Sequence, residues 1–299
     1  IYLAHAATTK VGKDAQEAVL EAFGEVYGNP SSPHSFGLSS ERRVTTARQI
    51  LADAIGSRPG EIYFTSGGTE SDNLAIRGTL EAKHRQGSHV VTSAVEHSAV
   101  LSTLEHLAAR GLCSYTVVEP DGKGRVSPQA VAAAVQDDTV LVTVMLVNNE
   151  VGAIQPIGEM AKLVKMQNGQ IYFHTDAVQA LGKIPFHVHE LGVDLLSISA
   201  HKLGGPKGIG ALYCREGVRL ISQLTGGGQE KGLRSGTENV PGILGFAAAA
   251  KGAMENLDAN GAHWRNLQDR LIAKLEPIPD MFINGSPLAD APHIVNVGF

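Results

Sequence analysis

Cysteine is almost absent from this chain: only Cys113 and Cys214 occur among 299 residues. Two thiols cannot build the disulfide framework of a small secreted fold, and such sparse usage fits a reducing compartment. Long apolar runs are missing too. The longest, residues 139–147 (TVLVTVMLV), falls far short of the roughly 20 residues that span a bilayer. The opening IYLAHAATTK lacks a basic segment followed by an apolar core, and its start at Ile1 rather than Met points to a trimmed beginning. Positive charge is not in excess either. With 25 Lys and Arg against 30 Asp and Glu, the formal charge is -5 and no basic field exists to hold a nucleic-acid backbone. The expectation is therefore no nucleic acid, no membrane, and a cytoplasmic location, with an organellar matrix as the alternative.

What is present is an ordinary globular composition, 43% hydrophobic, enough for a substantial core and about two domains on length alone. Short β-branched or aromatic runs alternate with helical patterns, which is the βα signature. Strands are expected near 61–65, 89–94, 114–118, 139–146, 170–174, 193–198 and 209–214. The doubly apolar run LVTVMLV argues for a mainly parallel sheet flanked by helices. A first helix is expected to open at Asp14 with Glu17 as a capping box and to close at Gly28, and another to start at Ser127-Pro128. GFAAAAKGAMENL reads as a closely packed core helix. From about 253 a polar helix and a strand-like end, APHIVNVGF, suggest a second unit. The expected division is a large domain over 13–252, with 1–12 and 253–299 as parts of a smaller, incomplete α+β domain.

In such a sheet, ligands sit beyond the carboxyl ends of the strands. Those positions hold Ser66-Gly67-Gly68-Thr69, Glu96-His97-Ser98, Asn148-Asn149-Glu150, Asp176 with Gln179, and His201-Lys202. Singly, each polar residue reads as a cap or loop hydrogen bonder, and Lys202 as a solvated loop lysine. Together they supply a lysine for a Schiff base, a carboxylate to face a pyridinium nitrogen, and a glycine-hydroxyl cradle, including Ser199, for a phosphate. Those are the requirements of pyridoxal phosphate. The glycines after Lys202 let backbone approach a cofactor closely, and Lys207 reads as structural or phosphate-side. His187 and His189 share a strand face and offer two metal ligands, but no third is apparent, so no metal is expected. Trp264, the single tryptophan, reads as a packing residue on the late helix.

The segments SGGTESDNLAIRG, SAVEHSAV, NNEVGAIQPI, HTDAVQALGK, SAHKLGGPKGIGALY and GGGQEKGLRSGTENV resemble, in order, the motifs of cysteine desulfurases of the NifS/IscS type. The resemblance implies fold type I of the pyridoxal-phosphate enzymes, a homodimer, and conversion of L-cysteine to L-alanine with the sulfur passed to a protein thiol as a persulfide. It further implies an iron-sulfur scaffold or another sulfur acceptor as partner. By the same resemblance, Lys202 holds the cofactor covalently and Asp176 pairs with its ring nitrogen. His97 stacks on the ring and takes part in proton transfer, while Gln179 meets the phenolic oxygen. Gly68, Thr69, Ser199 and His201 hold the phosphate, Thr237 reaches the partner subunit's phosphate, and Asn149 binds near the substrate carboxylate and the cofactor's ring oxygen.

Two departures stand out. The family pattern Asp-x-Ala-Ala-Thr-Thr has Ala4 in place of its aspartate, followed by His5. The family's nucleophilic cysteine and substrate-binding arginine lie beyond the strand resembling HIVNVGF, and this sequence stops at Phe299. Cys113 and Cys214 occupy no family motif and read as buried, inert thiols. The alternatives are a carbon-sulfur lyase, a selenocysteine lyase or an aminotransferase of the same fold, or a catalytically silent fragment or scaffold.

Overall fold

A computed structural model describes residues 2–286 and 290–299; positions 1 and 287–289 of the expected small domain lie outside the described residues. Ten elements come first: α1 (Lys13–Gly24), α2 (Ser35–Ile55), β1 (Ile62–Thr65), α3 (Gly68–Ala82), β2 (His89–Ser93), α4 (Ser98–Ala109), β3 (Ser114–Val118), α5 (Pro128–Ala133), β4 (Thr139–Thr143) and α6 (Ile157–Gln167). They are followed by β5 (Tyr172–Asp176), α7 (Val188–Leu191), β6 (Leu195–Ser199), β7 (Gly210–Cys214), α8 (Val240–Glu255), α9 (Leu257–Leu275), β8 (Phe282–Asn284) and β9 (Asn296–Gly298).

Seven strands form one sheet in the order β1-β7-β6-β5-β4-β2-β3. β7 pairs antiparallel with both neighbours, and all other pairs are parallel. Six strands therefore point the same way, and the carboxyl ends of β1, β2, β4, β5 and β6 lie along one edge. The sheet is mainly parallel and covered on both faces, the α/β architecture expected. Alternate residues of one strand face opposite layers. Val91, Val142, Leu196 and Tyr213 pack in the layer of α1, α2, α6 and α8, while Val90, Leu141, Leu195 and Leu212 pack toward α3 and α4. Each large apolar side chain buried this way contributes about 1.5–3 kcal/mol. β8 and β9 form a separate antiparallel pair.

Helix boundaries follow local chemistry. Ser127 Oγ accepts from the Ala130 amide at 3.3 Å and Pro128 opens α5, as the sequence predicts. α2 stops at Gly56, which sits at φ 69°. The expected capping box at Asp14 does not form: α1 begins after Gly12, without a side-chain cap, and ends at Gly24 rather than Gly28. The missing turn has a packing reason. Backbone atoms of Phe36 and Gly37 crowd Gly28, so that a Cβ there would lie 2.4 Å from the Phe36 carbonyl oxygen. Gly28 thus serves a close chain crossing.

A second correction concerns His187 and His189. His187 precedes α7 and His189 lies within it, so the shared strand face expected of them does not exist. Among the described residues no helix is long and apolar enough to cross a membrane, and no cluster of three or more metal-ligating side chains occurs. GFAAAAKGAMENL begins within α8, where Gly245, Phe246, Ala247 and Ala250 are buried, and runs to Leu257 at the start of α9. From Lys251 on it is half-buried or exposed, so the close core packing expected of the whole stretch is limited to its first part.

Candidate active site

A cavity of about 630 Å3 opens at the shared edge of strand ends. Its wall brings together Gly68, Thr69, His97, Asn149, Asp176, Gln179, His201 and Lys202, which are distant in sequence. Parallel strand direction explains the gathering: each residue follows, or ends, a strand that points at the same edge.

Asp176 ends β5 and is 5% exposed. Its Oδ1 accepts from the Val178 amide at 2.8 Å. Burial pushes its pKa up, whereas the Val178 bond and the neighbouring His97 and Lys202 pull it down. Lys202 closes a short 3-10 turn after β6. Its Nζ donates to the carbonyls of Ala6 at 2.5 Å and Ala7 at 2.9 Å. Burial lowers the Lys202 pKa, and Asp176 and Glu150 oppose that shift. The amine is therefore easier to deprotonate, as a nucleophile requires.

His97 is the N-cap of α4. Its Nδ1 accepts from the Ala99 amide at 3.1 Å, which leaves Nε2 as the proton-bearing nitrogen. His201 sits beside Thr8, Nδ1 to Oγ1 at 3.1 Å, and burial with the nearby lysines lowers its pKa to about 4. It is a neutral partner at physiological pH. Gln179 Nε2 donates to Ala6 O at 2.8 Å, and Asn149 Nδ2 to Glu150 Oε1 at 2.8 Å.

The glycine turn after β1 leads directly into α3, whose first amides are free at the cavity wall. A Cβ on Gly68 would lie 2.8 Å from Cγ2 of Val178, so a larger residue would push against the β5 loop. Glu70 fixes the turn from below by accepting the Ser66 amide at 2.9 Å and the Arg234 guanidinium at 2.8 Å.

Two expected residues stand apart. Ser199 is 2% exposed and lies behind Gly68, and Thr237 is exposed on the loop before α8; neither lines the cavity. Lys207 points elsewhere, donating to Thr9 O at 2.7 Å. Both thiols are buried and far from reactive: the Cys214 pKa is pushed up to about 12 by burial, and that of Cys113 is also raised.

Sequence reasoning missed Asp72, Met145 and Val178 on the wall. Asp72 had a signal, since it follows Gly68 by four residues and so shares its helix face. The segment from Ala4 to Gly12 was also underrated. Thr9 N and Oγ1 both donate to His201 O, Gly204 N donates to Thr9 Oγ1, and Gly12 N donates to Gly204 O. With the bonds from Lys202, Gln179 and Lys207, this clasp ties the start of the chain to the lysine loop. Ala4, where the family pattern has an aspartate, lines the cavity.

The whole sequence, residues 1–299, matches the family described as Aminotransferase class-V. The chain belongs to that family. Within it, the chain is 46% identical to cysteine desulfurase IscS of Methanosarcina thermophila, over all of this chain and 73% of that protein. A solved NifS-like protein superposes with a TM-score of 0.97 at 39% identity, covering 100% of this chain and 81% of the other. A second, SspA in complex with cysteine, gives a TM-score of 0.80 at 39% identity, covering 84% of this chain and 72% of the other. The fold is thus that of the fold type I pyridoxal-phosphate enzymes, and this class-V family depends on pyridoxal phosphate. The donor set fits the cofactor: a buried carboxylate, an amine and an imidazole share one cavity with a glycine-led helix start.

Proposed function

We propose that this chain is a cysteine desulfurase that takes sulfur from L-cysteine, leaving L-alanine, and passes it to a protein thiol for iron-sulfur or thio-cofactor synthesis. One observation carries the reading: Lys202 and Asp176 face one cavity at the strand ends of a chain closely related to IscS. The cysteine bound to the related SspA supports L-cysteine as substrate.

In this reading Lys202 holds the cofactor covalently and afterwards moves protons at the substrate's α-carbon. Asp176 would pair with the ring nitrogen, His97 would stack on the ring and take part in proton transfer, and Gln179 would meet the phenolic oxygen. Gly68, Thr69 and His201, with Ser199 behind them, hold the phosphate, and Asn149 meets the substrate carboxylate. When bound, pyridoxal phosphate would supply a carbonyl-derived carbon for amine exchange and an electron-withdrawing ring. The chain's own residues orient both partners and exclude water from Asp176. Exposed Thr237 is assigned to the cofactor phosphate of a second copy, so the active form is a homodimer. The sulfur-accepting thiol is neither Cys113 nor Cys214, whose burial keeps them protonated.

The test is a product assay with pyridoxal phosphate, L-cysteine and a reductant, measuring alanine and pyruvate together. Alanine is expected. Pyruvate in its place would make the protein a carbon-sulfur lyase, and neither product would make this stretch catalytically silent.

A further inference from the structure

The cavity contains a carboxyl group that none of the assigned roles uses. Asp72 lies one turn into α3, is 1% exposed, and lines the same wall as Asp176. Its Oδ1 has no hydrogen-bond partner among the described residues. It stands 3.6 Å from Nε2 of His174, beyond hydrogen-bond range. His174 precedes Asp176 by two residues on β5, so both side chains stand on the sheet face that α3 covers.

The imidazole nearest to it is already engaged on both nitrogens. His174 Nδ1 is 2.8 Å from Thr143 Oγ1 and its Nε2 is 2.9 Å from Ser197 Oγ. Burial lowers the His174 pKa to about 3, so no imidazolium is there to balance an Asp72 carboxylate. An isolated buried carboxylate is costly, and two neighbouring carboxyls resist ionising together.

We propose that Asp72 and Asp176 form a carboxyl pair in the wall of this cavity carrying one negative charge, and that Asp72, as its protonated member, is the positioning residue that confines the charge to Asp176. This rests on the pyridoxal-phosphate reading of the cavity. The asymmetry comes from the neighbours. Lys202 and His97 act on Asp176 and favour its ionised form. Asp72 feels burial first, then the negative charge of Asp176 and, more weakly, Glu96, with the Ser197 hydroxyl as the one opposing influence. Its pKa is accordingly raised well above the usual carboxylate range. As a neutral acid, Asp72 leaves the full charge of the pair where the ring nitrogen needs it. At alkaline pH it loses its proton to solvent, and a second negative charge then appears in the cavity wall.

The experiment is carbon-13 NMR of protein labelled at the aspartate side-chain carboxyl, with and without bound pyridoxal phosphate, combined with a pH titration of the cofactor's visible absorbance. At neutral pH one aspartate signal should stand at the position of a protonated acid and disappear in Asp72→Asn. The wild-type absorbance should show an alkaline step that the variant lacks. Fully ionised aspartates at neutral pH, or a protonated signal that survives Asp72→Asn, would overturn the proposal. If Asp72→Asn does not fold, Asp72→Ser makes the same assignment. Should the wild type take up no pyridoxal phosphate, the functional reading fails, and the cofactor-free spectrum still decides the protonation of Asp72.

Discussion

In the proposed function Lys202 carries the cofactor, and its replacement gives the plainest result. Lys202→Ala should abolish the visible band that appears when pyridoxal phosphate is added; an unchanged spectrum would remove the residue from its role. Asp176→Asn keeps the shape but discards the charge. Since a hydrogen bond to a charged group is worth about 1.5–3 kcal/mol, affinity for pyridoxal phosphate should fall about tenfold or more, measured by absorbance titration. The placement of both residues at one edge was legible in the sequence because each ends or follows a β-rich run, where a parallel sheet presents its ligands. Asp72 was overlooked because it follows no strand end, although its spacing of four from Gly68 places it on the same helix face. Thr237 was legible only as a motif. Nothing in its local spacing tells that it lies outside this chain's own cavity.

At the level of elements, strand identities were readable because β-branched and aromatic runs are punctuated by turn residues. The antiparallel setting of β7 was not, since a five-residue buried run reads the same in either direction. That strand is nonetheless important to the site. Gly210 opens β7, pairing with Thr65 and Ser199, and a Cβ there would come within 2.7 Å of both Gly67 Cα and Ile198 O. Backbone on two sides cannot move aside cheaply. Gly210→Ala should therefore lose about 1–3 kcal/mol in denaturant unfolding, and it should weaken pyridoxal-phosphate binding because the displaced atoms belong to the turn that starts α3. Unimpaired binding in that variant would show that the turn is not seated by β7. The start of α1 was misread for a related reason: Asp14 and Glu17 have capping chemistry, but the chain enters the helix through Gly12, held by Gly204.

For the whole molecule, buried titratable groups set opposite slopes of stability with pH. Burial raises the Glu96 pKa from 4.5 to about 8, so the folded state keeps a proton that the unfolded chain releases, and stability falls as pH rises through that window. Asp72 and Asp176, also raised, act in the same sense. His174, His201 and His293 are depressed from 6.5 to about 3, 4 and 3, so stability falls as pH drops below about 6.5. The cofactor-free protein should be most stable between about pH 4.5 and 6.5, as judged by urea midpoints. Glu96→Gln should flatten the decline toward pH 8, and an unaltered profile would mean that Glu96 is ionised in the fold. The clasp between the segment Ala4 to Gly12 and the lysine loop bears on how the molecule assembles. Lys202 meets Ala6 across 196 positions of chain, and Thr9 meets His201 across 192. Contacts that close such long loops form after local ones. On dilution from denaturant, helical signal should return first and cofactor capture should lag behind it, making pyridoxal phosphate a reporter of the last folding step.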